Sequence, residues 1–229
     1  MTKREAYLLA GPTASGKSAA AAILARARGA AILSADSMLV YRGMDLGTAK
    51  PSREEREEFC MGGVDIVTPA EHFSSGAWLR AAAEWLAALP ADRPVVVVGG
   101  TGLYFSALLR GLDRRWEKPP PEYPVIRIDR AVVRARIAAR LDAMFMAGLE
   151  EEKRRLRELY PVWSKTASLA IGYREGDDRS KILTRTCQLA KRQDTWFRHQ
   201  ATPIYVEPSA DAVRECWRER GPWKVSFPT

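Results

Sequence analysis

Long apolar runs are missing from this 229-residue sequence. No stretch approaches eighteen consecutive apolar residues, so a membrane-spanning helix is excluded from the reading. Cysteine is scarce and scattered: Cys60, Cys187 and Cys216 form neither a disulfide framework nor a close metal-binding pair, and a reducing cytoplasm is the expected compartment. Repeats and low-complexity tracts are also absent. The first five residues run straight into an apolar strand, which leaves no room for a signal peptide. What remains is an ordinary globular composition, 46% hydrophobic and 28% charged, long enough for one substantial α/β core with a small appendage.

Charge is present in excess and unevenly placed. Of the net +8, the whole surplus lies between Arg110 and Gln200, where 21 Lys/Arg face 13 Asp/Glu. A solvated helical face would account for this, and so would a surface for a polyanion. Charge alone does not decide between them.

The most specific local signal is Gly11-Pro12-Thr13-Ala14-Ser15-Gly16-Lys17-Ser18, a P-loop pattern. Gly11 and Gly16 permit a turn whose amides point inward at phosphate oxygens. Lys17 adds a point charge, and the Ser18 hydroxyl is placed to hold a Mg²⁺ bound to the same phosphates. The constrained positions match by chance roughly once in a hundred chains of this length. A strand before the motif and a helix after it supply the required context, so a diphosphate or triphosphate site is expected here.

Around it the first third alternates strand and helix. Residues 6–10, 30–34 and 94–98 read as strands, with 64–67 as a further candidate. Residues 19–28, 75–89 and 103–112 read as helices, the second anchored by Trp78, Leu79, Trp85 and Leu86. The β-branched run at 94–98 is of the kind buried on both faces, and the alternation argues for a parallel sheet between helices. Beyond it, Pro119-Pro120-Pro121 marks a connection. A strand at 125–128 follows, then a long helix or helix pair over 130–160 with Val133, Ile137, Leu141, Met144 and Phe145 on one face. A helix at 181–198 and a strand at 203–206 complete the reading.

Asp36 ends the second strand, at the edge where such sheets bind ligands, and reads either as a turn residue or as a carboxylate facing the crevice of Lys17. Thr101, in Gly99-Gly100-Thr101-Gly102, holds the equivalent place after the central strand. Arg136 and Arg140 lie one helical turn apart and share a side of their helix. Lys191 and Arg192, near Trp196, suit phosphate contact and stacking on a base.

Together these residues resemble the tRNA dimethylallyltransferases. The likeness is carried by the P-loop, by the block from Ser34-Ala35-Asp36-Ser37-Met38-Leu39 to Gly47-Thr48-Ala49-Lys50-Pro51, and by Val98-Gly99-Gly100-Thr101-Gly102-Leu103-Tyr104. Further matches are Ile171-Gly172-Tyr173-Arg174-Glu175 and the run from Gln188 to Arg198. The resemblance implies a P-loop NTPase-like three-layer α/β fold and a monomeric enzyme. Its reaction would carry a dimethylallyl group from dimethylallyl diphosphate, with Mg²⁺, to N6 of adenosine 37 in tRNA. It implies Asp36 as general base, Thr101 as a contact to the bridging oxygen and the base, and Arg140 as a grip on the diphosphate. It also implies a tRNA-facing set of Asp36, Ser37, Met38, Leu39, Thr101, Lys191 and Arg192, with adenosine and diphosphate entering a tunnel from opposite sides.

Two departures stand out. The family's helical insert is reduced to the proline-rich stretch 113–123, between a P-loop core at 1–112 and the remainder with basic helices at 124–229. An arginine usual before Gln188 is here Cys187. Other readings stay open: prenylation of free adenine nucleotides, a P-loop small-molecule kinase, or a non-catalytic RNA-binding remnant. The kinase is weakened by the central strand, which ends in Gly99-Gly100-Thr101 where many P-loop NTPases place a magnesium-binding aspartate.

Overall fold

In the computed structural model, residues 2–112 and 121–227 are described. Most of the shortened insert expected at 113–123, with Pro119 and Pro120, lies outside them. The sheet is organised by β1 (Thr2–Ala10), which serves two sets of neighbours. Its first half pairs antiparallel with β6 (Trp223–Phe227), and its second half runs parallel to β3 (Val95–Gly99) and meets β4 (Glu122–Ile126) at Ala10. With β2 (Ala31–Ser34) beside β3 and β5 (Thr202–Val206) beside β4, the order is β2-β3-β1-β4-β5. Residues after the proline segment therefore supply three of the six strands.

Burial on both faces follows from strand periodicity. Leu8, Leu33, Val95 and Val97 face one side, against α3 (Ser75–Ala87) and α4 (Gly102–Arg110) with Trp78, Leu79, Phe105 and Leu108. Leu9, Ile32, Val96 and Val98 face the other, against α1 (Lys17–Arg28) and α8 (Ala210–Arg220) with Leu24, Val213 and Trp217. All five residues of β3 are buried, as its β-branched run requires. Trp217 buries its indole and donates its Nε1–H to Leu8 O at 2.8 Å, which satisfies the one polar group it brings inside. The helices and sheet make the expected P-loop NTPase-like α/β architecture.

The long helical expectation at 130–160 resolves into a pair. Asp129 caps α5 (Arg130–Met146), accepting from the Ala131 amide at 2.7 Å. Gly148, at φ 97°, ends that run and opens α6 (Leu149–Leu159). The buried stripe of α5 is Val133, Ile137, Leu141 and Phe145, and this helix packs on α7 (Arg179–Gln200).

One expected strand is absent. Residues 64–67 form no ladder: Val67 makes a lone bridge to Tyr41, and Asp65 sits at φ 52°, which breaks an extended run. Two α-helices and one strand go unread in the sequence. These are α2 (Arg53–Glu58), α8 and β6. The signal for α2 was the Ser52/Glu55 capping box, since Arg-Glu-Glu-Arg-Glu-Glu has no apolar stripe and buries nothing.

Candidate active site

The loop after β1 turns at the C-terminal edge of the parallel strands and feeds α1. Ala14 and Gly16 both lie in the left-handed region, at φ 61° and 94°. A non-glycine residue held there needs outside support. Arg136 supplies it, donating from Nη1 to Ala14 O and Ser15 O, each at 3.3 Å. Arg140, one turn along α5, reaches Thr13 Oγ1 at 3.4 Å. Gln193 of α7 accepts from the Thr13 amide at 2.8 Å and donates to Gly100 O at 3.1 Å, so one side chain ties the P-loop to the loop after β3.

Lys17 is buried, its ammonium 3.1 Å from Pro12 O. Burial lowers its pKa to about 8; Asp36 opposes the shift, while Arg140 adds to it. Burial likewise lowers the pKa of Arg140. Two cations without a full complement of anions make this a place where an added diphosphate relieves an existing cost. Ser15 Oγ, also buried, has no partner among the described residues.

Asp36 and Thr101 are brought together because β2 and β3 are neighbours. Ala35 donates to Val98 O at 2.8 Å and accepts from the Thr101 amide at 3.0 Å. A Cβ on Gly99 would stand 2.1 Å from Ala35 O, so only glycine allows the strands' loops to approach this closely. A Cβ on Gly102 would stand 2.0 Å from the Trp196 ring, and one on Gly100 would displace the Gln193 amide, 2.3 Å away. Asp36 Oδ1 accepts from the Met38 amide at 2.9 Å, which fixes its carboxyl group. Thr101 Oγ1 accepts from the Ser37 amide at 2.9 Å and donates to Ser37 Oγ at 3.2 Å.

The loop between Asp36 and Pro51 is held from behind by residues whose role the sequence did not disclose. Buried Glu152 of α6 accepts from the amides of Asp45, Leu46 and Gly47 at 2.8 to 3.3 Å and from the Tyr173 hydroxyl at 2.6 Å. Burial, then the Glu152 carboxylate, pushes the Tyr173 phenol well above its ordinary range. Gly47 leaves room for that ring, which a Cβ would approach to 2.5 Å. Lys50 buries its ammonium between Tyr41 O at 2.6 Å, Asp65 Oδ1 at 2.7 Å and Asp45 Oδ1 at 2.7 Å. These contacts give a structural reason for the Gly47, Lys50 and Tyr173 positions of the motifs.

Two cavities meet at this framework. One, of about 620 Å³, is lined by Gly16, Lys17, Ser18, Leu39 and Lys50. The other, of about 550 Å³, is mainly apolar and is lined by Ser37, Met38, Thr101, Arg192 and Trp196 together with Leu141, Ile171 and Leu189. Thr13, Asp36, Thr48, Ala49, Arg140 and Met144 line both and mark where they adjoin. Of the expected tRNA-facing set, Leu39 stands on the P-loop side, because the chain turns after Met38. Lys191 is exposed on α7 and lines neither cavity. Cys187 faces inward, packing with Ile128 and Leu183 on a cluster of Ala14, Val133, Ile137 and Ala190.

Among the described residues no group of three or more His, Cys, Asp or Glu is arranged to hold a metal. The exposed Ser18 hydroxyl in the P-loop cavity is a hard oxygen donor. It suits a divalent ion that takes its remaining ligands from phosphate oxygens and water. No helix among the described residues is long and apolar enough to cross a membrane.

Comparison with known proteins agrees with this framework. The model of the family described as IPP transferase matches residues 39–127 and 116–200, and that described as Isopentenyl transferase matches residues 4–61. A tRNA dimethylallyltransferase of Phenylobacterium zucineum is 45% identical over 170 residues, covering 74% of this chain and half of that protein's length. One from Burkholderia thailandensis is 32% identical over 291 aligned positions, covering 89% of this chain and 90% of the relative. That alignment has more positions than this chain has residues, so the relative carries stretches without a counterpart here. The crystal structure of the full-length tRNA isopentenylpyrophosphate transferase from Bacillus halodurans superposes with a TM-score of 0.79 at 24% identity, covering 94% of this chain and 95% of that one. The fold is thus shared over nearly the whole length, and the chain belongs to the IPP transferase family.

Proposed function

We propose that this protein transfers a dimethylallyl group from dimethylallyl diphosphate to N6 of adenosine 37 in the tRNA anticodon loop. The observation that carries the reading is the position of Asp36. Asp36 lines both the P-loop cavity, with its Lys17, and the mainly apolar cavity edged by Trp196 and Arg192. A donor anchored at Lys17 and a base entering past Trp196 would meet there.

The chemistry follows from the groups at hand. Breaking the allylic C1–O bond leaves its electron pair on the diphosphate, which Lys17, Arg140 and the P-loop amides stabilise. The N6 lone pair forms the new C–N bond, and the N6 proton passes to Asp36 as the amine gains positive character. Thr101 is oriented by Ser37 to contact the base or the bridging oxygen. Ser18 and the donor's own oxygens would hold Mg²⁺, which supplies further neutralisation of the leaving group when bound. The family model matches in two pieces that overlap at 116–127. An interruption there is consistent with a reduced RNA clamp.

The test supplies labelled dimethylallyl diphosphate and Mg²⁺ with a stem-loop bearing adenosine 37, with AMP, or with ATP and candidate acceptors. Label in the stem-loop supports the proposal. Label in AMP alone overturns it in favour of free-nucleotide prenylation, and phosphate transfer without prenyl transfer makes the protein a kinase.

A further inference from the structure

Along α5, Arg136, Arg140 and Met144 recur at intervals of four residues and share one face. Their surroundings change in order. Arg136 braces P-loop carbonyls and Arg140 touches Thr13 Oγ1. Met144 packs on the cluster of Leu141, Phe145, Leu149 and Ile182 at the apolar end. Four residues of helix rise about 6 Å, the scale of a short branched hydrocarbon chain. Of the six residues that line both cavities, only Ala49 and Met144 present wholly apolar side chains. Ala49 has one carbon and a left-handed backbone at φ 54°. Met144 is therefore the one large apolar side chain where the two cavities adjoin.

We infer that Met144 sets the length of the allylic chain the site accepts, its thioether closing the hydrocarbon pocket after one five-carbon unit. The inference rests on the donor reading above. A diphosphate held between Lys17 and Arg140 directs its tail along α5 towards Met144. The tail then exchanges water for the apolar surface of Leu46 and Ala143, which line the P-loop cavity. A ten-carbon donor must displace Met144 to continue into the neighbouring cavity. Methionine is unbranched and adaptable, so the barrier is one of selectivity and not absolute.

The test titrates the full chain with non-reactive thiolodiphosphate analogues of dimethylallyl and geranyl donors and with inorganic pyrophosphate, read by calorimetry. The unaltered protein should bind the dimethylallyl analogue at least about tenfold more tightly than the geranyl one. Met144→Ala should erase or invert that preference, a swing of about tenfold or more, with pyrophosphate affinity unchanged. Met144→Leu, which conserves volume, should keep the original preference. An unchanged ratio in Met144→Ala, with pyrophosphate binding intact, overturns the assignment. If the unaltered protein bound the dimethylallyl analogue no better than pyrophosphate, the donor reading itself would fail, a result distinct from an unmoved ratio.

Discussion

Lys17 carries the clearest electrostatic cost at the scale of single residues. Its pKa of about 8 lies below the ordinary 10.5 because burial disfavours the charged form. Between those two values the unfolded chain holds more protons than the native one, so this residue's contribution to stability rises with pH across that window. Below pH 8 both states are protonated and the contribution is flat. A shift of this size corresponds to about 3 kcal/mol. Urea denaturation at pH 7 and pH 10 should therefore show a relative gain for the unaltered protein that Lys17→Met lacks; parallel pH responses in the two would refute the shift. Asp36 invites a different substitution. Asp36→Asn keeps an oxygen to accept the Met38 amide but cannot take a proton. Turnover should fall by about 10²- to 10⁴-fold while pyrophosphate affinity is retained. A matching loss of affinity would make the carboxylate structural.

At the scale of elements, the site depends on α6 holding a loop that it is remote from in sequence. Glu152 receives three backbone amides and a phenol in a buried place, and hydrogen bonds to a charged group contribute about 1.5–3 kcal/mol each. Glu152→Gln should cost about 2–3 kcal/mol and Tyr173→Phe about 1.5–3 kcal/mol. Because the two share one bond, the double variant should cost less than their sum in chemical denaturation. Additivity would mean that the contact is not formed in solution. This network also marks the limit of what could be read from the sequence. The P-loop, Asp36 and the Gly99-Gly100-Thr101-Gly102 turn are local patterns attached to strand ends, and each was legible. Glu152 stands in Leu-Glu-Glu-Glu-Lys-Arg-Arg, where it looks like any solvated helix charge, and its loop partners lie more than a hundred residues away. Gln193 is hidden in the same way, its two partners belonging to the P-loop and the loop after β3. The failed strand at 64–67 has a related cause: its apolar residues suggested a ladder, but Asp65 turned out to serve Lys50 and Arg56 as a counter-ion.

For the molecule as a whole, the question is how far the positive surplus between Arg110 and Gln200 acts as one surface. Many of its cations are already committed. Arg154 is paired with Glu151 and Glu158, and Arg198 with Asp194. Lys191 and Arg192 form no ion pair with a described residue, and Arg192 borders the apolar cavity where a base would enter. Binding of a polyanion releases counterions in proportion to the phosphates newly neutralised, not to total charge. Paired and unpaired cations should therefore separate cleanly in a salt titration of stem-loop binding. Lys191→Ala and Arg192→Ala should each reduce the slope of log K against log salt by about 0.7–0.9, the increment for one phosphate contact. Arg154→Ala should leave it unchanged, because that guanidinium is neutralised within its own helix. If all three variants lowered the slope alike, the surplus would act as a diffuse field, and α7 would hold no special place in RNA binding.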